Sequence, residues 1–168
     1  MKILTHPALK RFALVVCLVL PFAACKKEEA PKETVKAALP APTTEDAAQW
    51  REYVSDVVTR NSPADLGNQP YVYLLPGEST PDFQGNYERL LEKAKTDVAR
   101  GIISGNMLAY ASPASAKIAD IVVESFKDVP AGTMKGVRVV FIGKPADGER
   151  VKAAVTPAGV DYVFVEAK

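Results

Sequence analysis

The amino-acid sequence predicts an α/β domain of three layers, with a mainly parallel four-stranded sheet between flanking helices. Helical patterns and short apolar segments alternate from residue 45 to residue 165. The clearest strand, 137–142, is apolar at nearly every position, which indicates that both of its faces are covered. Helices that alternate with strands of this kind are typical of parallel sheets with right-handed crossover connections.

Each element is predicted by its own pattern. Apolar residues at three- and four-residue steps predict helices at 45–60, 83–100 and 114–128, and a shorter helix is predicted at 148–155. Short apolar runs bounded by proline or glycine predict strands at 71–75, 107–111, 137–142 and 160–165. Ser112 is expected to cap the third helix, with Pro113 at its first position. Gly101 is expected to end the second helix.

The first strand leaves an alternative open. Because prolines flank it and tyrosines alternate within it, an α+β domain in which this strand pairs antiparallel at an edge is also consistent with the sequence. Tyr71 and Tyr73 would point the same way from such a strand. If that edge is open, it is the best place for a partner to add a strand or to stack side chains. The pattern does not predict the order of the strands.

The first 24 residues have the parts of an export signal. Lys2, Lys10 and Arg11 precede an apolar run at 13–24, and small residues end it. A membrane-spanning helix needs about 20 apolar residues, so this run is too short for a permanent span. The sequence therefore predicts a cleaved signal peptide at 1–24.

Cys25 follows the segment Phe22-Ala23-Ala24, and this junction resembles a bacterial lipoprotein signal. The resemblance is confined to residues 1–25, and Phe22 departs from it because an aliphatic residue is usual there. It implies that Cys25 carries a diacylglyceryl group and further acyl chains such as palmitate, and that it becomes the mature N-terminus. Because Lys26 stands where an aspartate would favour the inner membrane, the resemblance implies the outer membrane, with the domain facing the periplasm. The alternative is an ordinary secretory signal that leaves Cys25 a free thiol.

Composition divides the rest of the chain into a disordered tether at 25–43 and a single α/β domain at 44–168. The tether alternates charges and prolines and has almost no large apolar side chain, so burial cannot offset the entropy of ordering it. The domain is long enough for one ordinary hydrophobic core.

Removal of the signal excludes several kinds of chemistry. The chain has 21 basic and 20 acidic residues, and the signal takes three of the basic ones, so the mature chain has no basic excess for nucleic acid. His6, the one histidine, is also removed, and Cys25 is the one remaining cysteine. A Ser-His-Asp triad, a Cys-His pair, an intrachain disulfide and a zinc site of histidine and cysteine are therefore excluded. No cofactor and no metal site are predicted.

Polar residues follow three of the predicted strands, at the edge of the sheet where ligands of α/β proteins bind. The loops 76–82, 112–115 and 143–149 contain the candidate pocket residues, which are Glu78, Ser79, Asp82, Ser115, Lys144 and Asp147. The same residue types are also common helix caps and turn residues, so a structural role is the competing interpretation.

These observations predict a lipid-anchored envelope protein whose periplasmic domain binds a protein partner or a small ligand without catalysis. One form of it would be an immunity-type lipoprotein that neutralises a toxin. The alternative is a hydrolase or transferase that uses the carboxylates and Lys144. The residue types alone do not decide whether the domain is an enzyme, although they favour binding.

Overall fold

The computed structural model describes residues 37–67 and 69–168. The predicted signal peptide, Cys25 and most of the predicted tether lie outside the described residues. Within the described ranges, every helix is too short or too polar to cross a membrane.

The described residues form four helices and four strands in alternation. Their bounds are α1 (Ala47–Asn61), β1 (Tyr71–Leu74), α2 (Phe83–Ala99), β2 (Met107–Ala111), α3 (Ser115–Phe126), β3 (Arg138–Gly143), α4 (Pro145–Val155) and β4 (Asp161–Glu166), with a 3-10 turn at Thr156–Ala158. The four strands form one parallel sheet in the order β1-β2-β3-β4. The predicted fold class is thus confirmed. The α+β alternative is wrong, because β1 pairs in parallel with β2.

The sheet separates two hydrophobic cores. On one face, α2, α3 and α4 pack against the sheet around Tyr73, Tyr110 and Phe141. On the other face, α1 packs against β2 and β3 and is the one helix there among the described residues. The strand order explains this arrangement, because right-handed crossovers that always step to the next strand place their helices on the same face. The outer strands β1 and β4 are therefore less covered on the α1 face.

Three helices begin elsewhere than predicted, and the first of them, α1, begins at Ala47 rather than at residue 45. The third helix, α3, begins at Ser115, because the Ser112 hydroxyl accepts a hydrogen bond from the Ala114 amide (2.9 Å) and forms a turn before the helix. The fourth, α4, begins at Pro145, since proline at the first helical position loses no hydrogen bond. The predicted end of α2 is confirmed, because Gly101 has φ +86° and its amide donates to the Val98 carbonyl (3.0 Å).

The described part of the predicted tether packs on the domain. Leu39 and Ala41 lie against the α1-side core, and the Leu39 amide donates a hydrogen bond to the Asp56 carboxylate (3.1 Å). The Trp50 indole donates to the Thr44 carbonyl (2.8 Å), which holds the end of the same segment. The ordered domain thus includes residues before position 44.

We expect a protein that begins at residue 44 to fold cooperatively but to be less stable than one that begins at residue 37. The elements from α1 to β4 and both cores remain, whereas the apolar contacts of Leu39 and Ala41 and one hydrogen bond are lost. Together these contribute about 1–3 kcal/mol to the free energy of unfolding. Urea unfolding of both proteins measures the difference, and equal stability would show that residues 37–43 contribute nothing.

Candidate functional site

Two of the three predicted loops, those that follow β2 and β3, meet at the carboxyl ends of the strands around a cavity of about 300 Å³, and the loop 76–82 does not line it. Its lining comes from the loops after β2 and β3, from the start of α1 and the segment before it, and from the residue after β4. It consists of Pro42, Thr43, Thr44, Glu45, Trp50, Ser112, Pro113, Ser115, Gly143, Lys144 and Ala167. Of the candidate residues, Ser115 and Lys144 line this cavity. The sequence patterns did not indicate Glu45 and Trp50 as its walls, because both belong to a segment that precedes the sheet.

Ser115 joins the loops that follow β2 and β3. Its hydroxyl donates to the Asp147 carboxylate (2.6 Å) and accepts from the Lys144 amide (2.8 Å). Asp147 also pairs with Arg150 (3.1 Å), and Arg150 reaches Asp120 of α3 (2.6 Å). Ser115, Lys144 and Asp147 are therefore brought together as predicted, but their polar atoms bind one another.

In this arrangement Ser115 holds the loops after β2 and β3 together, and it is not placed to act as a nucleophile. A serine nucleophile needs a neighbouring base to accept its proton, and the Asp147 carboxylate that accepts the Ser115 hydrogen bond is already paired with Arg150. The Lys144 ammonium group makes no hydrogen bond or ion pair with the residues that the structure describes, including Ser115. A serine–lysine pair is thus not assembled in this structure.

Glu45 holds the loop that follows β1. Its carboxylate accepts hydrogen bonds from the Ser79 hydroxyl (2.5 Å) and the Ser79 amide (3.0 Å), which lower the pKa of Glu45. Gly77 packs against the same carboxylate, and a Cβ atom there would overlap it. Ser79 therefore serves to attach the loop to the start of α1. This contact spans 34 positions of sequence, so no local pattern indicated it.

The remaining candidate carboxylates do not join this site. Asp82 pairs with Arg89 of α2 (3.0 Å), and its backbone has φ +56°, so it precedes the helix without capping it through its side chain. Glu78 is exposed. Across residues 37–67 and 69–168, no group of three carboxylate, histidine or cysteine residues is placed to hold a metal ion.

The tyrosines of β1 do not form an exposed recognition surface at the edge of the sheet. Tyr73 is fully buried, stacks on Tyr110 with ring centroids 4.6 Å apart, and donates a hydrogen bond to Asp97 (3.0 Å). Tyr71 is half-buried and packs against the same core. The Tyr73 ring therefore cannot stack on a partner, although β1 is the outermost strand of the sheet.

We expect Ser115→Ala to lower the free energy of unfolding by about 1–3 kcal/mol, because it removes two hydrogen bonds and leaves the Lys144 amide without its acceptor. Lys144→Ala serves as the matched control, since the Lys144 side chain is exposed and its removal keeps the backbone amide. Chemical denaturation of both variants measures the effect. An equal loss from both would contradict the supporting role of Ser115.

Comparison with models of known protein families, with curated proteins and with solved structures gives no match.

Proposed function

We propose that this chain is a lipid-anchored protein of the bacterial envelope whose α/β domain binds another protein in the periplasm and catalyses no reaction. The observation that carries the binding role is that three of the candidate polar residues, Ser79, Ser115 and Asp147, are paired with other side chains. Asp147 accepts a hydrogen bond from Ser115 and pairs with Arg150, Glu45 accepts one from Ser79, and these contacts hold loops in place. Side chains used in this way are not free for chemistry.

The anchor is supported by the sequence around Cys25. A short apolar run, two small residues, one cysteine and an immediately polar segment occur in the order that lipoprotein processing requires. Two or more acyl chains attach a protein durably, whereas one gives marginal binding, at about 0.8 kcal/mol for each buried methylene. The lysine after Cys25 favours transfer to the inner leaflet of the outer membrane.

We expect Cys25→Ser to abolish both incorporation of labelled palmitate and attachment to the membrane. Cells that express the wild-type or the variant chain are fractionated, and each fraction is probed for the protein. Either unprocessed precursor or a soluble periplasmic product agrees with the proposal. Mature-sized variant that still sediments with the outer membrane would contradict it.

One observation favours the hydrolase or transferase alternative. Lys144 and Ser115 line the same cavity at the carboxyl edge of the sheet, where α/β enzymes bind their substrates. If Lys144 acts in catalysis, Lys144→Ala abolishes the biological activity of the protein while its stability and its anchor are unchanged. If the domain acts by binding elsewhere, the same variant retains that activity.

A further inference from the structure

A second hollow, about 400 Å³ in volume, lies between α1 and β1, away from the polar cavity. We call it the β1 groove, and it is lined by Arg51, Val54, Ser55, Val58, Thr59, Ser62, Gln69, Pro70, Val72 and Leu74. Val54 and Val58 belong to the buried α1-side core, and Leu74 packs against it. Val72, at the rim, is 43 % exposed, which is unusual for a valine within a strand.

The backbone of β1 is unpaired along the same groove. The Leu75 amide donates to the Ala111 carbonyl of β2 (3.1 Å), so the N–H and C=O groups of Leu75, Tyr73 and Tyr71 face β2. Because these groups alternate along a strand, those of Val72 and Leu74 face away from the sheet. No other described strand lies beyond β1. Two donors and two acceptors are thus available at this edge.

On the opposite side of α1, a segment of the chain itself occupies the space that corresponds to the β1 groove. There the chain's own segment 38–41, which has no regular secondary structure, lies beside Val57 of α1 and Val165 of β4. Leu39 and Ala41 of this segment pack on the core that the two sides share. A short segment with apolar side chains therefore completes the layer beside β4, whereas no described segment does so beside β1.

The charge of the β1 groove indicates that its partner is acidic. Arg51 is the single charged residue among the lining residues, and it makes no ion pair or hydrogen bond with any described residue. A second copy of this chain bound through the same groove would bring a second arginine and no acid, because a two-fold interface uses the same patch twice. A segment with a carboxylate would instead pair with Arg51.

We propose that the β1 groove binds a short extended segment of another protein, which adds a strand to β1 and carries apolar side chains and an acidic residue. The segment pairs with the backbone groups of Val72 and Leu74, places an apolar side chain against Val54 and Val58, and sets its carboxylate beside Arg51. Pro70 and Pro76, which flank the strand, restrict the added pairing to about five residues. This inference rests on the proposed function and specifies the partner of that domain.

The test selects peptides from a displayed library of random eight-residue sequences on the purified chain, residues 25–168 with Cys25→Ser. Parallel selections use Arg51→Glu and Val72→Pro. Proline at position 72 removes an outward-facing amide that makes no bond within the sheet, so the fold is expected to be retained, and thermal unfolding checks this. Arg51→Glu provides a second variant that leaves the backbone unchanged.

We expect the wild-type chain to enrich alternating apolar sequences that contain aspartate or glutamate. Val72→Pro should weaken their binding about tenfold. Arg51→Glu should weaken the binding of the acidic peptides about fivefold, as expected for loss of a partly exposed charge pair. The selection on this variant should instead enrich lysine-containing peptides. This reversal of charge preference is not produced by a general loss of stability.

Four results would overturn the inference. The first is the absence of enriched peptides, and the second is enrichment of peptides that show no acidic preference or whose acidic preference Arg51→Glu does not reverse. The third is concentration-dependent dimerisation of the wild-type chain that Val72→Pro abolishes. This dimerisation would identify a second copy as the occupant. Because the selection uses an unacylated chain, its failure is distinguishable from failure of the proposed anchor. The fourth result is binding of the peptides at Ser112 and Lys144, which would leave a binding function but reject the β1 groove.

Discussion

Replacing Phe141 by alanine is expected to lower the free energy of unfolding by about 3–5 kcal/mol. Phe141 is fully buried in β3, a central strand, and its side chain belongs to the core beneath α2, α3 and α4. Truncation removes most of its buried apolar surface and leaves a cavity that neighbouring side chains fill only in part. Because domains of this size are stable by about 5–15 kcal/mol, the loss is a large fraction of the total.

Phe164 offers a matched control for this substitution. It lies opposite Phe141 in the register of β3 and β4, and the two rings stack with centroids 6.3 Å apart. Phe164 is 36 % exposed, so Phe164→Ala removes less buried surface and should cost about 1–2 kcal/mol. Urea unfolding of both variants measures the two losses. Equal losses would contradict the difference in burial between the central and the outer strand.

Removing the hydroxyl groups of the stacked pair Tyr73 and Tyr110 is expected to change stability in opposite directions. The Tyr73 hydroxyl donates to Asp97, so Tyr73→Phe should cost about 1.5–3 kcal/mol, the contribution of a hydrogen bond to a charged group. The Tyr110 hydroxyl is buried and has no hydrogen-bond partner among the described residues. Tyr110→Phe should therefore raise the free energy of unfolding by about 1 kcal/mol, since it removes an unsatisfied polar group.

The loss caused by Tyr73→Phe should depend on pH. Burial of Asp97 opposes its ionisation, but the hydrogen bonds from Lys93 and Tyr73 outweigh this and lower its pKa. A carboxyl whose pKa is lower in the folded state stabilises the fold above its unfolded pKa of about 4, and this contribution is lost as the pH falls through the folded pKa. The cost of Tyr73→Phe should thus be full at pH 7 and decrease below about pH 4.

Urea titrations of wild type, Tyr73→Phe and Tyr110→Phe between pH 7 and pH 3 measure both effects. Tyr110→Phe serves as the control for pH, because its hydroxyl does not bond the carboxylate. A cost of Tyr73→Phe that stays constant down to pH 3 would show that Asp97 is not the relevant acceptor. Destabilisation by Tyr110→Phe would show that its hydroxyl has a partner.

The candidate site was predicted in part. The topology of a parallel sheet brings the loops after its strands to one edge, so Ser115, Lys144 and Asp147 were expected together, and they are. Glu45 was missed because its contact with Ser79 joins segments 34 positions apart. Asp82 was assigned to the site because of its loop, but Arg89, seven positions later in the chain, pairs with it instead.

The sequence alone determined the type and order of the helices and strands, because apolar spacing, prolines and glycines act within a few residues of one another. It also determined which side-chain chemistries the segment after residue 25 lacks, since these depend only on residue types. The order of the strands and the placement of α1 on the face opposite α2, α3 and α4 were decided by the tertiary structure. These features follow from which strands pair and from how many helices each face receives, and no local pattern contains that information. The burial of Tyr73 and the exposure of Val72, one position apart in the same strand, arise from that difference between the two faces.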